Sequence, residues 1–335
     1  MTQTIRKRKN KRARNLETIV QKSVGAAVLI VLFLAALCSW FFPSFQPQNF
    51  AGERKEADLR IHFVDVGQGD CILLELPDGK TMVIDGGNVS AREDVLAYVR
   101  SLRIKTIDYL VITHSDADHC GGLSDLVEYA DLQRAYLPCD TADVTALYTD
   151  IYETVTEKAL SVQYSQAFEE IEGEGYYLVF LSPHAQATAA GEEENDASAV
   201  LWLDYFGTNA LFCGDISSEK EKTLLLEWEL GAAAYPERVA EKLKLNSTEI
   251  LKVAHHGSKY SSSEEWLKAL NLQTAVISCG AGNSYGHPAG ETLENIRTAS
   301  PDGQIYRTDE CGTIIATLHL DGTYEMSYEK QESKK

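Results

Sequence analysis

Residues 108–122 read DYLVITHSDADHCGG. The first five form an apolar run of buried-strand length, and a segment with helical spacing, LSDLVEYA, follows from Leu123. Between them His114, Asp116, Asp118 and His119 fall within six residues. Carboxylates and imidazoles crowded onto one turn must be paired or must hold a cation, because unpaired buried charge is costly. The turn therefore predicts a metal site. One turn cannot fill two coordination shells, so ligands from distant segments are expected.

Two later segments offer them. ALFCGD, residues 210–215, ends an apolar run at Asp215, and EILKVAHHGS, residues 249–258, ends another at His255 and His256. Strand ends are where open α/β sheets build their sites. The expected ligands are His114, Asp116, Asp118, His119, Asp215 and His255, holding two divalent ions with Asp215 as the bridge. Three carboxylates among six donors make the site hard, which points to Zn²⁺ or Mn²⁺. The sequence does not decide between His255 and His256; His255 is taken as the ligand, and His256 as a ligand, a general acid or a supporting donor. Such a metal pair activates water and neutralises charge at the attacked centre. Asp118, His256 and His287 are the expected catalytic residues, His287 in SYGHP as a phosphate binder or a proton donor to the leaving oxygen.

Working outward, short apolar runs such as IHFVDVG, TMVIDGG, YYLVFLSP, ASAVLWLDYF and TAVISCG alternate with helical stretches, which predicts an α/β fold. Asp65 and Asp85 each follow such a run. Gly67, Gln68, Gly69 and Asp70 read as a tight turn near the site. Asn195 and Ser198 offer neutral polar contacts, Gly257 and Ser258 a cradle for a phosphate oxygen, and Lys259 a charge to steer an anion. His184 reads as a loop residue, and Arg307 with Asp309 as a structural pair. Six cysteines beyond Cys38 are widely spaced without a CxxC, which reads as small buried residues more than as a disulfide framework.

Charge divides the 335-residue chain. Residues 1–50 hold eight basic residues and one acidic residue, leaving 23 basic against 49 acidic from residue 51 onward, a charge of −26. A body that acidic has no general basic face for nucleic acid. Residues 1–22 read as a basic cytoplasmic segment, and residues 23–42, SVGAAVLIVLFLAALCSWFF, as an uncleaved transmembrane signal anchor of bilayer-spanning length. Residues 43–58 read as a linker and residues 59–330 as a folded α/β domain outside the cytoplasm.

THSDADH resembles the HxHxDH signature of metallo-β-lactamase-fold hydrolases, with Asp116 in place of the second histidine. HFVDVGQGDCILLELPDGKTMVIDGG, NDASAVLWL, CGD, LKVAHHGSKYSSSEEWL, AVISCGAGNSYGHP and YRTDECGTI, spread over roughly residues 59–320, resemble the carboxy-terminal hydrolase domain of ComEC competence proteins. The resemblance implies an αββα four-layer sandwich with the metal site at one sheet edge. It makes Asp85 the group that orients the metal turn, and the substrate a phosphodiester, single-stranded DNA outside the cell. ComEC proteins also carry many membrane helices forming a DNA channel. This sequence shows one span, so a channel would be a separate partner. The rival substrate is an envelope phosphodiester of the phosphocholine or teichoic-acid type, since phosphorylcholine esterases carry a similar Asp-rich turn. Amide or lactone hydrolysis is a weaker rival. A metal-stabilised binding module without turnover is the alternative of another class.

Overall fold

A computed structural model describes residues 57–138, 145–184 and 194–329, all within the second of the chain's two units, Pro47–Lys335. The anchor read at residues 23–42, the basic segment before it and nearly all of the linker lie outside the described residues. Among the described residues no helix is long and apolar enough to cross a membrane.

In chain order the described strands are β1 (Leu59–Phe63), β2 (Ile72–Glu75), β3 (Thr81–Ile84), β4 (Thr106–Val111), β5 (Asp131–Leu137), β6 (Ser161–Tyr164), β7 (Glu170–Glu172), β8 (Tyr176–Ser182), β9 (Val200–Tyr205), β10 (Thr208–Phe212), β11 (Thr248–Lys252), β12 (Thr274–Ile277), β13 (Gln304–Arg307), β14 (Ile314–Leu318) and β15 (Tyr324–Tyr328). They form two mixed sheets, ordered β15-β14-β1-β2-β3-β4-β5-β6 and β13-β12-β11-β10-β9-β8-β7.

Strand alternation sorts the side chains into layers. Leu59, Ile61 and Phe63 of β1 meet Leu201, Leu203 and Tyr205 of β9 and Phe212 of β10 in the core between the sheets. Arg60 and His62 of β1 point the other way, and His62 Nδ1 lies 2.6 Å from the hydroxyl of Tyr98 on the helix Arg92–Ser101. On the far face of the second sheet, Trp202 and Leu211 pack with Leu224, Trp266, Leu267, Leu270 and Ile296 from the helices Ser218–Leu230, Glu264–Leu270 and Gly290–Ala299. The layers run helix, sheet, sheet, helix, as the resemblance implies. The described cysteines are free thiols, four of them buried. Cys139 lies outside the described residues.

One buried acid holds two helices of the outer layer together. Glu221, on Ser218–Leu230, accepts the Ser262 N–H, and the Ser263 N–H and hydroxyl at 2.9 Å each. Ser263 in turn caps the helix Glu264–Leu270. Burial pushes the Glu221 carboxyl up to about 7 from an ordinary 4.5, and the hydrogen bonds only partly oppose it. A raised carboxyl penalises the ionised folded state, so the penalty is absent below the unfolded value and accrues as pH rises towards 7. At about 1.4 kcal/mol per unit, the cost reaches about 3 kcal/mol. Glu221→Gln removes the titration. Between about pH 4 and about pH 8 the parent is expected to lose about 3 kcal/mol relative to this variant in urea unfolding, whereas a constant difference would contradict it.

Candidate metal centre

The site lies where central strands of both sheets end. β4 runs into Thr113, His114 and the turn that starts the short helix Ala117–Cys120, so Asp118 and His119 sit on its first turn. β3 runs into Asp85, β10 into Asp215, and β11 into His255 and His256. Glycine lets two of these turns touch. Gly69 has φ +137°, and a Cβ there would collide with the Asp118 carbonyl oxygen. The Asp70 N–H donates to that same carbonyl at 3.1 Å.

Asp70, His119, Asp215 and His256, all buried, each present a ligating atom within 4.8 Å of one another. His119 Nε2 is 3.2 Å from Asp215 Oδ1, and His256 Nε2 is 3.4 Å from Asp215 Oδ2 and 3.3 Å from Asp118 Oδ2. Their other ring nitrogens are occupied. His119 Nδ1 faces Asp85 Oδ2 at 2.8 Å, and His256 Nδ1 faces the Ser278 carbonyl at 3.0 Å. That fixes a proton on Nδ1 and leaves Nε2 to face a metal, which would displace any proton there. Asp85 also accepts from the Thr113 N–H at 2.8 Å and hydroxyl at 2.6 Å, so it fixes the metal turn as well as the imidazole. No hydrogen bond satisfies Nε2 of His114, His119 or His256, or the inner oxygens of Asp215 and Asp70. Orphaned buried donors and acceptors that converge are what a divalent cation would satisfy.

The field at this point is strongly negative. Burial disfavours charge on His119, yet Asp215 and Asp85 hold it well above the ordinary imidazole range. His256 rises to about 9 against the same burial, through Asp215 and Asp70. Asp215 stays ionised far down in pH despite burial, because His119 and His256 flank it.

Asp116 stands nearer the mouth, beside the buried His114. Their Nε2 and Oδ2 are 3.6 Å apart, and Asp116 is half exposed. His114 packs on His119 with ring centroids 4.0 Å apart. Asp118, His119, His255 and His256 thus gather around Asp215 and one another, and the His114–Asp116 pair adjoins them through the His119 ring.

Several expected roles change. His256, not the favoured His255, enters the buried cluster. Both residues adopt left-handed backbone, φ 49° and 54°, and this reversal turns His256 inward while His255 remains 30% exposed. His255 still reaches Asp215, with Nε2 3.6 Å from Oδ2. Asp65 caps its own turn through the Gly67 N–H at 3.1 Å, and the acid of that loop that faces the cluster is Asp70. Asp70 pairs at 2.6 Å with the fully buried Lys252. Ser198 is buried and cannot meet a substrate. Its Oγ accepts the Asp215 N–H at 3.3 Å and lies 3.4 Å from His114 Nδ1, so it positions two site residues. Asn195 contributes its carbonyl to the Ser198 N–H, and neighbouring Asp196 anchors Ser217 at 2.7 and 2.9 Å. Ser258 is buried with its Oγ accepting the Tyr260 N–H, and Gly257 is buried against Pro288. Lys259 is exposed beside the site. His287 stands at the mouth, its ring 5.6 Å from His255. His184 faces Glu227 at 3.1 Å and Arg307 grips Asp309 at 2.6 and 3.0 Å, as loop and structural residues.

The profile of the metallo-beta-lactamase superfamily matches residues 64–281. The chain belongs to that superfamily. Its curated relatives include ComE operon protein 3 of Bacillus subtilis (strain 168), 26% identical over 275 residues that cover 76% of this chain and 32% of that protein. Competence protein ComA of Neisseria gonorrhoeae is 25% identical over 305 residues, 91% of this chain and 37% of its own length. The chain therefore spans about a third of the length of these relatives, and the resemblance to the ComEC-type hydrolase domain holds. Among solved structures, the metallo-beta-lactamase fold protein YhfI from Bacillus subtilis aligns over 80% of this chain and 99% of its own, with a TM-score of 0.47 and 11% identity. Within the superfamily signature, the second histidine is replaced here by Asp116.

Proposed function

We propose that this chain is a metal-dependent phosphodiesterase acting on DNA, held outside the cytoplasm by the segment 23–42. The observation that carries the reading is the convergence of unsatisfied Nε2 atoms of His119 and His256 on the Asp215 carboxylate. Asp118, His119, Asp215 and His256 would hold one divalent ion, Zn²⁺ or Mn²⁺, and His114, Asp116 and Asp215 a second. A bound pair of this kind lowers the pKa of water and offsets charge on phosphorus. Asp85 and Ser278 keep the two inner imidazoles oriented. Burial, then the nearby His256 and His255, hold His287 below the ordinary imidazole range. His287 would bind a phosphate oxygen or give a proton to the leaving oxygen. Relatives named for competence support DNA as the substrate.

The test uses the chain loaded with Mn²⁺ or Zn²⁺. Release of nitrophenol from bis-(p-nitrophenyl) phosphate is expected to stop with chelator and to return on adding metal, and a single-stranded oligonucleotide is expected to be cut under the same conditions. Turnover of phosphocholine esters without DNA cutting would move the substrate to the envelope. No turnover of any diester would leave a metal-stabilised binding module.

A further inference from the structure

Two loops close the mouth of the metal centre, residues 255–263 after β11 and residues 278–289 after β12. The Ala289 N–H ties them together by donating to the Gly257 carbonyl at 2.8 Å. Each loop puts one tyrosine into solvent. Tyr260 is 68% exposed and Tyr285 70%, the most exposed aromatic side chains among the described residues. A single exposed tyrosine means little. Here each sits on a loop that also carries site histidines, His255 and His256 before Tyr260 and His287 after Tyr285, and the backbone beneath each is fixed. The Tyr260 N–H donates to Ser258 Oγ at 3.3 Å, and its carbonyl accepts the Ser218 N–H at 2.8 Å. The Tyr285 N–H donates to Asn283 Oδ1 at 3.1 Å, an oxygen that also accepts the His287 N–H at 3.0 Å.

The Tyr285 ring connects to the chemistry. Tyr285 lies nearly parallel to His287, at 25° and 5.7 Å. His287 is 5.6 Å from His255, whose Nε2 is 3.6 Å from Asp215. On the other loop, Lys259 Nζ lies 4.9 Å over the Tyr260 ring. Charge decides what such a rim can do. With 23 basic against 49 acidic residues from residue 51 onward, the body lacks the electrostatic grip by which most proteins hold a polyanion. Affinity for a strand must then come from short-range contact. Stacking of bases on aromatic faces is worth roughly tenfold or more per base and tolerates any sequence. A duplex keeps those faces covered.

We propose that Tyr260 and Tyr285 form a base-stacking subsite on the rim of the metal centre, which holds bases next to the scissile phosphodiester and selects single strands. Its catalytic consequence rests on the phosphodiesterase reading. The test compares a single-stranded oligonucleotide with one of equal length whose central positions are abasic. Binding of labelled strands is followed by fluorescence anisotropy in chelator, and hydrolysis is followed with Mn²⁺. The parent is expected to prefer the intact strand by about tenfold or more in both readouts. Tyr260→Ala and Tyr285→Ala should each remove most of that preference, the two phenylalanine variants should keep it, and Phe206→Ala, on the distant β9–β10 turn, should leave it as in the parent. Equal handling of both strands by the parent, or an intact preference in the alanine variants, overturns the subsite. A base preference in binding without hydrolysis keeps the subsite and overturns the phosphodiesterase reading instead.

Discussion

Replacing Asp215 by alanine is expected to lower metal-dependent hydrolysis by about a thousandfold or more, the largest effect of any single change in the site. The magnitude follows from what the carboxylate touches. Its two oxygens face Nε2 of His119, His256 and His255 at 3.2, 3.4 and 3.6 Å, and in the proposed centre it would serve both ions. Loss of Asp215 would therefore weaken both of the proposed metal positions at once. A bound metal contributes several kcal/mol of charge stabilisation, and each 1.4 kcal/mol or so is tenfold in rate. Asp215→Asn keeps the shape but removes the charge, and is expected to fall nearly as far. Metal content of the purified variants should drop in parallel with rate, while circular dichroism stays that of the parent. A variant that retains a tenth of parental activity with full metal content would remove Asp215 from the centre.

Much of this centre can be read in the sequence because it is local. His114, Asp116, Asp118 and His119 share one turn, and a strand followed by a helix makes that turn a site in any α/β fold. Asp215 is legible for the same reason, as a carboxylate that ends an apolar run. The choice between His255 and His256 is not local. It depends on two successive left-handed residues, whose cost of about 1–3 kcal/mol each is borne only because the surrounding loops over-determine them. Nothing in HHGS announces that reversal. Asp70 was hidden differently. GQGD reads as a turn, and a turn it is, but Gly69 lets that turn lie against the Asp118 carbonyl, which brings Asp70 under the cluster. One signal was available. In LKVA a lone lysine interrupts a run otherwise apolar enough for a buried strand, and a lysine buried there demands a buried counter-charge.

That lysine carries the second large effect. Lys252 is fully buried, its Nζ 2.6 Å from Asp70 Oδ2 and 2.9 Å from the Val253 carbonyl. Burial alone would raise the Asp70 carboxyl and lower the Lys252 ammonium. Their pairing reverses both, with His256 adding to the pull on Asp70. Lys252→Met keeps the length of the side chain and deletes the charge, which leaves Asp70 buried beside Asp215 without its main partner. Breaking a buried pair in this way costs about 3–5 kcal/mol. In a body of this size that corresponds to a fall in Tm of roughly 10 °C. Asp70→Asn is expected to cost a similar amount by leaving the ammonium unpaired. The double variant should recover part of the loss, because neither charge is then stranded, and urea unfolding of all four proteins yields the coupling directly. The His256 ring gives an independent readout. Asp70 Oδ1 lies 3.3 Å from its Nδ1, so loss of Asp70 leaves the Ser278 carbonyl to hold the ring. Metal affinity should then weaken by about tenfold to a hundredfold, as is usual when a group supporting a ligand is removed. If Lys252→Met unfolds at the parental urea concentration, the pair does not hold the floor of the site, and the lysine is a passenger of its strand.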